Sequence, residues 1–380
     1  MARELQPASM DAAAAALAGV VADGGMVRVV GGGTKLGWGA IGPDCDAELH
    51  TSALDRIVEH NEGDLTAVLE AGVALEAAQR RFASAGQMLA LDPPLGADHR
   101  ATIGGVIATG DCGPLQHRYG APRDLILGMT LGLSDGTLAR SGGKVIKNVA
   151  GYDLAKLFCG SFGTLGLILQ VSVRLHPLPA STATALGVAA DPNLLSRAAR
   201  TIAGAPFELE ALDVAWRSGR GGILARCGGT RARRRAERVG TAMREAGLGQ
   251  VEVATDDAEL WARQRAGQRS AHAVIVRIAA RPSEIARVLR AADASGGTLV
   301  GRAAVGQSYV ELEPDGLGQL AEHLPRGASV VLLDAPPYAR ETVDPWGPLP
   351  PGPLLTLMRN LKTRFDPANA CNPGIFVGGI

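Results

Sequence analysis

Glycine gathers three times in the first half of this chain. The segments are Gly31-Gly32-Gly33-Thr34-Lys35-Leu36, then Thr102-Ile103-Gly104-Gly105 with Ala108-Thr109-Gly110, then Gly160-Ser161-Phe162-Gly163-Thr164-Leu165-Gly166. Only glycine lets a main chain turn sharply and approach another group without a side chain in the way. Consecutive N–H groups turned into a concave nest bind phosphate oxygens without a full positive charge. One such loop is explained as readily by a tight turn in a compact sheet. Three in one half point to a long, doubly charged ligand gripped by backbone. The chain holds 50 glycines in 380 residues without a G-X-Y period, which excludes a collagen-like fold.

Two better-known phosphate motifs fail on inspection. Gly37-Trp38-Gly39-Ala40-Ile41-Gly42 matches the dinucleotide-binding G-x-G-x-x-G, but Pro43-Asp44 follows at once and no helix can open there. No Walker loop exists either: Lys144 follows Gly143, but Leu138 stands where that motif needs its first glycine.

Composition narrows the function class. Hydrophobic residues make up 46% and charged ones 20%, as in an ordinary globular chain. Lys+Arg and Asp+Glu balance at 38 each, and aromatics reach only 4%, so no nucleic-acid partner is expected. The five cysteines (Cys45, Cys112, Cys159, Cys227, Cys371) are scattered, with no C-x-x-C pair. That spacing fits buried thiols in a reducing cytoplasm and predicts no metal site, iron–sulfur cluster or disulfide frame. Met1–Gln6 lacks the start of a secretory signal, and no run of 18 apolar residues occurs. The expected location is cytoplasmic, with at most peripheral membrane association through partners.

Local periodicity predicts helices over 11–22, 73–85, 231–246, 283–294 and 354–365. Strands are predicted over 26–30, 66–71 and 167–175, with a hairpin around Ser134-Asp135-Gly136. The texture changes at Pro177 and Pro179, and a second proline-rich hinge spans 335–353. Two hinges bracketing a middle block predict a domain over 1–178, a second over 179–338, and a segment 339–380 that returns to the first.

Residues 29–39 (Val-Val-Gly-Gly-Gly-Thr-Lys-Leu-Gly-Trp-Gly) resemble the first flavin loop of the PCMH-type, vanillyl-alcohol-oxidase-like FAD-binding family. Leu91-Asp92-Pro93-Pro94 and the run from Thr102 to Asp124 resemble its second block. Residues 147–157 with 160–166 resemble its third, and Phe365-Asp366-Pro367 with Asn372-Pro373-Gly374 its terminal motif. The resemblance implies an α+β fold, a two-lobed FAD-binding domain with a smaller α+β cap domain, and FAD held non-covalently, since Thr34-Lys35 stand where histidyl-flavin members carry a histidine. It implies that Gly31, Gly32, Gly33, Thr34, Lys35 and Leu36 cradle the pyrophosphate, with Lys35 helping to offset its charge. Asp92 would belong to the cofactor-binding set, and Thr102, Gly104, Gly105, Ala108, Thr109 and Gly110 would line the ribityl and isoalloxazine side. Gly163, Gly166 and Ile168 would border the adenine half, with Gly151 and Asn372 completing the set.

Within the family the chain resembles the smaller FAD-binding subunits of glycolate oxidases. That implies a subunit of a 2-hydroxy acid oxidase complex, working in electron transfer beside a larger FAD-containing subunit and an iron–sulfur subunit. Relatives that oxidise 2-hydroxy acids themselves carry paired histidines in a His-Gly-Asp-Gly-Asn-x-His stretch. The middle block here has only His272 and His323, far apart, and no catalytic residue is assigned. Ile375 stands where the terminal motif often carries a cation. His99 and His117 could approach a flavin edge or be solvated; Cys112 and Trp38 read as core, and Asp153 as the cap of a short helix over 154–158. The arginines of 231–238 read as a solvated face or a docking face for an acidic partner. A self-sufficient FAD-dependent dehydrogenase and an assembly subunit without redox role stay open.

Overall fold

The computed structural model describes residues 2–145 and 153–380. The chain divides into two compact units. The first comprises Met1–Cys112, Gly120–Leu178 and Pro348–Ile380; the second comprises Gly113–Tyr119 and Pro179–Gly347. The stretch Gly113–Tyr119 thus leaves the N-terminal sequence block to join the second unit, an excursion that the proline hinges gave no reason to expect.

The first unit holds β1 (Arg3–Leu5), β2 (Val27–Val30), β3 (Ala47–His50), β4 (Ile57–Asn61), β5 (Thr66–Glu70), β6 (Gln87–Met88), β7 (Ile126–Gly132), β8 (Leu138–Gly142), β9 (Leu167–Arg174) and β10 (His176–Pro177). Strands β1, β3 and β2, in that order, form a parallel sheet. Strands β4, β5, β9, β7 and β8, in that order, form an antiparallel one. In β9, Leu169, Val171 and Val173 are buried while Gln170, Ser172 and Arg174 are not, the period-2 alternation of a half-wet sheet.

The alanine-rich helix Met10–Ala22 joins the two sheets. Ser9 caps it, its Oγ accepting from Ala12 N–H at 3.1 Å. Its buried residues Ala13, Leu17 and Val20 recur with helical spacing and share one core with Val27, Leu49, Leu167, Leu169 and Cys371. Each fully buried leucine there contributes about 1.5–3 kcal/mol. The hairpin between β7 and β8 turns at Gly136 (φ +84), and Asp135 Oδ1 accepts from Thr137 N–H at 2.9 Å.

The C-terminal segment extends the parallel sheet. Val27 N–H donates to Ala370 carbonyl at 2.8 Å, and Asn372 N–H donates to Val27 carbonyl at 2.9 Å, a parallel bridge between Val27 and Cys371. The helix Gly352–Phe365 leads into it.

The second unit holds β11 (Thr182–Ala189), β12 (Leu209–Arg217), β13 (Arg220–Gly228), β14 (Gly249–Ala254), β15 (Val274–Ala279), β16 (Thr298–Arg302), β17 (Gln307–Leu312) and β18 (Ser329–Asp334). They form one antiparallel sheet in the order β14-β11-β13-β12-β16-β17-β15-β18. Leucine, valine and alanine from the helices Pro192–Gly204, Ala232–Glu245 and Ile285–Ala294 pack on one face. The opposite face is more polar: Asp213 and Arg302, both fully buried, are cross-strand partners there. Sheets and helices segregate in both units, and the α+β class expected from the sequence is the one observed.

Candidate functional site

The first glycine loop begins where β2 ends. Gly31 and Gly32 lie hard against residues 100–102: a Cβ on Gly32 would stand 1.6 Å from Arg100 carbonyl oxygen, and one on Gly31 2.4 Å from Thr102 Oγ1. Thr34 packs against Gly96, and Leu36 is half-exposed. Among the described residues, the N–H groups of Gly31, Gly32 and Gly33 donate to no protein acceptor. Three successive main-chain donors are therefore left unused by the protein's own described acceptors, and such donors can receive an anion.

The same loop buries a cation. Lys35 Nζ lies 3.3 Å from Asp111 Oδ2, with both side chains less than a tenth exposed, and 5.7 Å over the ring of buried Trp38. The expectation that Lys35 offsets ligand charge meets this carboxylate: Asp111 already balances the ammonium. Sequence reasoning passed over Asp111, since nothing local marks an aspartate after a glycine as the partner of a lysine 76 positions earlier.

In the second block, Thr102 caps the helix Ile103–Thr109, its Oγ1 accepting from Gly105 N–H at 3.2 Å. Ile103 N–H donates to Val73 carbonyl and Gly104 N–H to Ala71 carbonyl, at 2.9 and 2.8 Å. Those three donors are satisfied inside the protein, so this block offers walls rather than an anion nest. Gly104 lets the helix lie on Ala71; Thr109 Oγ1 donates to Gly105 carbonyl at 2.8 Å, and Gly110 closes the helix. Ala108 is half-buried, as is Asp92 in the loop after β6.

The third loop docks on the end of that helix. Gly160 N–H donates to Ile107 carbonyl at 2.9 Å and Phe162 N–H to Ala108 carbonyl at 2.8 Å. Phe162 (φ +57) and Gly163 (φ +72) are both left-handed, an unusual conformation for phenylalanine. Asn372 Nδ2 donates to Phe162 carbonyl at 2.7 Å, and a Cβ on Gly163 would stand 2.7 Å from that same Nδ2. Gly166 backs onto Gly132 carbonyl, and Ile168 is buried opposite Leu131. The structure thus brings the three glycine segments and Asn372 together within the first unit. Gly151 lies outside the described residues.

Comparison with known proteins identifies the region that carries the first two glycine loops. Residues 2–142 match the FAD binding domain family, and residues 345–375 match the C-terminal domain of FAD linked oxidases. Residues 2–142 carry an FAD-binding domain. It is 37% identical over 144 residues to the glycolate oxidase subunit GlcE of Escherichia coli, covering 38% of this chain and 40% of that protein. It is 34% identical over 186 residues to the glycolate oxidase subunit GlcD of Bacillus subtilis, covering 48% and 39%. A D-lactate dehydrogenase of Archaeoglobus fulgidus is 37% identical over 147 residues, covering 39% and 32%. The matches span about two fifths or less of these relatives' own lengths. A solved alkyldihydroxyacetonephosphate synthase shares the fold, with TM-score 0.71 at 13% identity over 97% of this chain and 75% of that one.

The FAD-binding domain fits its cofactor by the chemistry of its donors. A dinucleotide diphosphate needs several N–H groups at close range, and Gly31–Gly33 supply a row of them without side chains. Gly37–Gly42, by contrast, runs into irregular chain and opens no helix.

The remaining candidates scatter. His99 is exposed and pairs with Glu76 at 2.8 Å. His272 is exposed in the bend before β15, and His323 ends the helix Gly316–His323 with Nδ1 2.8 Å from Gln319 carbonyl. His117 belongs to the second unit, where burial and the neighbouring Arg118 hold its pKa below the ordinary range. Cys112 and Trp38 are buried. Asp153 is no cap: the helix Ala155–Phe158 starts at Leu154 without a side-chain cap, and Asp153 pairs with Lys156 at 3.0 Å. Of the arginine run, Arg233 pairs with Glu237, Arg235 with Glu208, and Arg238 stacks over Phe207. No helix among the described residues is long and apolar enough to cross a membrane.

Proposed function

We propose that this chain is the FAD-binding subunit of a 2-hydroxy acid oxidase or dehydrogenase, with glycolate as the substrate class. It would serve electron transfer beside a larger FAD-containing subunit that oxidises the substrate and an iron–sulfur subunit that passes electrons on. The observation that carries the reading is the row of open donors at Gly31–Gly33, in a domain whose relatives are named as glycolate oxidase subunits and D-lactate dehydrogenase. Bound FAD supplies two-electron hydride acceptance. The chain's own part is to hold the diphosphate with Gly31–Gly33, to wall the ring with the helix Ile103–Thr109 and to border the adenine half with Gly163, Gly166 and Ile168.

The assignment of substrate oxidation to a partner is supported by where the middle-block histidines stand. A base titrating near neutrality is what removal of a hydride beside a hydroxyl requires. His272 and His323 are both exposed, on separate elements, and neither faces a second histidine.

The test is an anaerobic absorption spectrum of purified chain reconstituted with FAD. Glycolate or D-lactate should leave the flavin band of the isolated chain intact and bleach it once the larger subunit is added. Bleaching by the chain alone would replace this reading with a self-sufficient dehydrogenase. Protein that takes up no FAD would leave an assembly subunit.

A further inference from the structure

Asn372 joins two of the three flavin loops. Its Oδ1 accepts from Val29 N–H at 2.8 Å, two residues before the open donors of Gly31–Gly33, and its Nδ2 donates to Phe162 carbonyl at 2.7 Å. The amide cannot be flipped: one partner only donates and the other only accepts. Its Oδ1 stands where the next carbonyl of a fourth strand would stand, one step beyond the bridge between Val27 and Cys371. The Nδ2 end holds the carbonyl of Phe162, a left-handed residue that persists only where its surroundings fix it.

Asn372 is itself fixed from behind. Lys362 Nζ, buried, donates to Thr164 carbonyl at 2.8 Å, Asp366 Oδ2 at 2.6 Å and Cys371 carbonyl at 2.9 Å. Cys371 N–H donates to the same Asp366 oxygen at 2.8 Å. All three ammonium protons are used, two of them on the main chain of the loop and of the segment that Asn372 connects.

Building on the reading of Gly31–Gly33 as the diphosphate donors, we infer that Asn372 is a positioning residue for FAD. It sets the first loop against the third through Val29 and Phe162, so the C-terminal segment determines cofactor affinity through main-chain contacts. The sequence resemblance placed Asn372 among the cofactor-binding residues; the inference gives it a specific task.

The experiment measures FAD affinity by fluorescence quenching, apoprotein melting, and amide hydrogen exchange, on wild type, Asn372→Asp, Asn372→Ala and the surface control Asn360→Ala. Asp is isosteric and keeps the acceptor for Val29, but it turns an oxygen toward Phe162 carbonyl. Both Asn372 variants should bind FAD at least about tenfold more weakly, and Asn372→Ala should also exchange faster at Val29, while Asn360→Ala matches wild type. Unchanged affinity and unchanged Val29 exchange in both would overturn the inference. A wild type that binds no FAD would refute the diphosphate reading instead, and loss of Val29 protection in Asn372→Ala would still decide the clamp. Should neither variant fold, wild type decides alone. Val29 must be protected without FAD while Gly31–Gly33 gain protection only on adding it; Val29 exchanging together with those glycines would sink the idea.

Discussion

Lys35 and Asp111 face each other at 3.3 Å, both buried, across the first glycine loop and the end of the helix Ile103–Thr109. Removing one partner of a buried pair costs about 3–5 kcal/mol, because the other charge is stranded in a medium that solvates it poorly. Asp111→Asn should lower the free energy of unfolding by that amount, read from urea denaturation. The double variant Lys35→Met with Asp111→Leu should recover most of it. With the ammonium balanced internally, FAD affinity should change little as ionic strength rises. A steep salt dependence would show that Lys35 serves the phosphates after all.

The close approach at Gly32 sets up a comparison between neighbours. Alanine at 32 would place Cβ 1.6 Å from Arg100 carbonyl, which is main chain and cannot rotate away. Gly32→Ala should separate the loop from residues 100–102, lose about 1–3 kcal/mol or more in thermal unfolding, and abolish FAD uptake. Gly33→Ala meets nothing nearer than Leu36 Cδ1 at 3.9 Å and carries only the strain of φ +71. It should cost about 1 kcal/mol and leave a folded protein. Equal effects of the two would refute this account of the loop.

Lys362→Met removes the buried ammonium and leaves the Asp366 carboxylate with Cys371 N–H but no cation. A loss of about 3–5 kcal/mol is expected, read by denaturant unfolding of the apoprotein. Cys371, beside it, should resist alkylation in the native protein. Burial and the neighbouring Asp366 push its thiol up to about 12, so almost no thiolate exists near neutrality.

Glu70 gives the FAD-binding domain an acid limb. Burial by itself would raise this carboxyl, but hydrogen bonds from the Arg56 side chain and backbone, at 2.7–3.2 Å, bring it below its ordinary value. A carboxyl lowered on folding stabilises above its unfolded pKa, about 4.3, and loses that contribution as pH falls through the lower folded value. Wild type should therefore lose melting temperature more steeply than Glu70→Gln below about pH 4. Parallel curves would remove Glu70 from the explanation.

The local grammar of this protein is legible without coordinates. Alternation in 167–175, the alanine run at 11–22 and the hairpin at Ser134-Asp135-Gly136 each depend on residues a few positions apart, and each forms where its period predicts. The glycine segments raised the expectation of a backbone-gripped ligand, because the absence of side chains is itself the signal. Tertiary structure decided which of the glycine-segment donors the protein satisfies itself. Gly31–Gly33 keep free donors, whereas the helix Ile103–Thr109 satisfies its own on Val73, Ala71 and Thr102. It also gave Lys35 its carboxylate, made Asp153 a partner of Lys156 instead of a cap, and sent Gly113–Tyr119 to the second unit. Asn372 reaches Val29 and Phe162 across 343 and 210 positions. No periodicity extends that far: such contacts are chosen by which surfaces the whole fold buries together, and that choice exists only once the chain has closed.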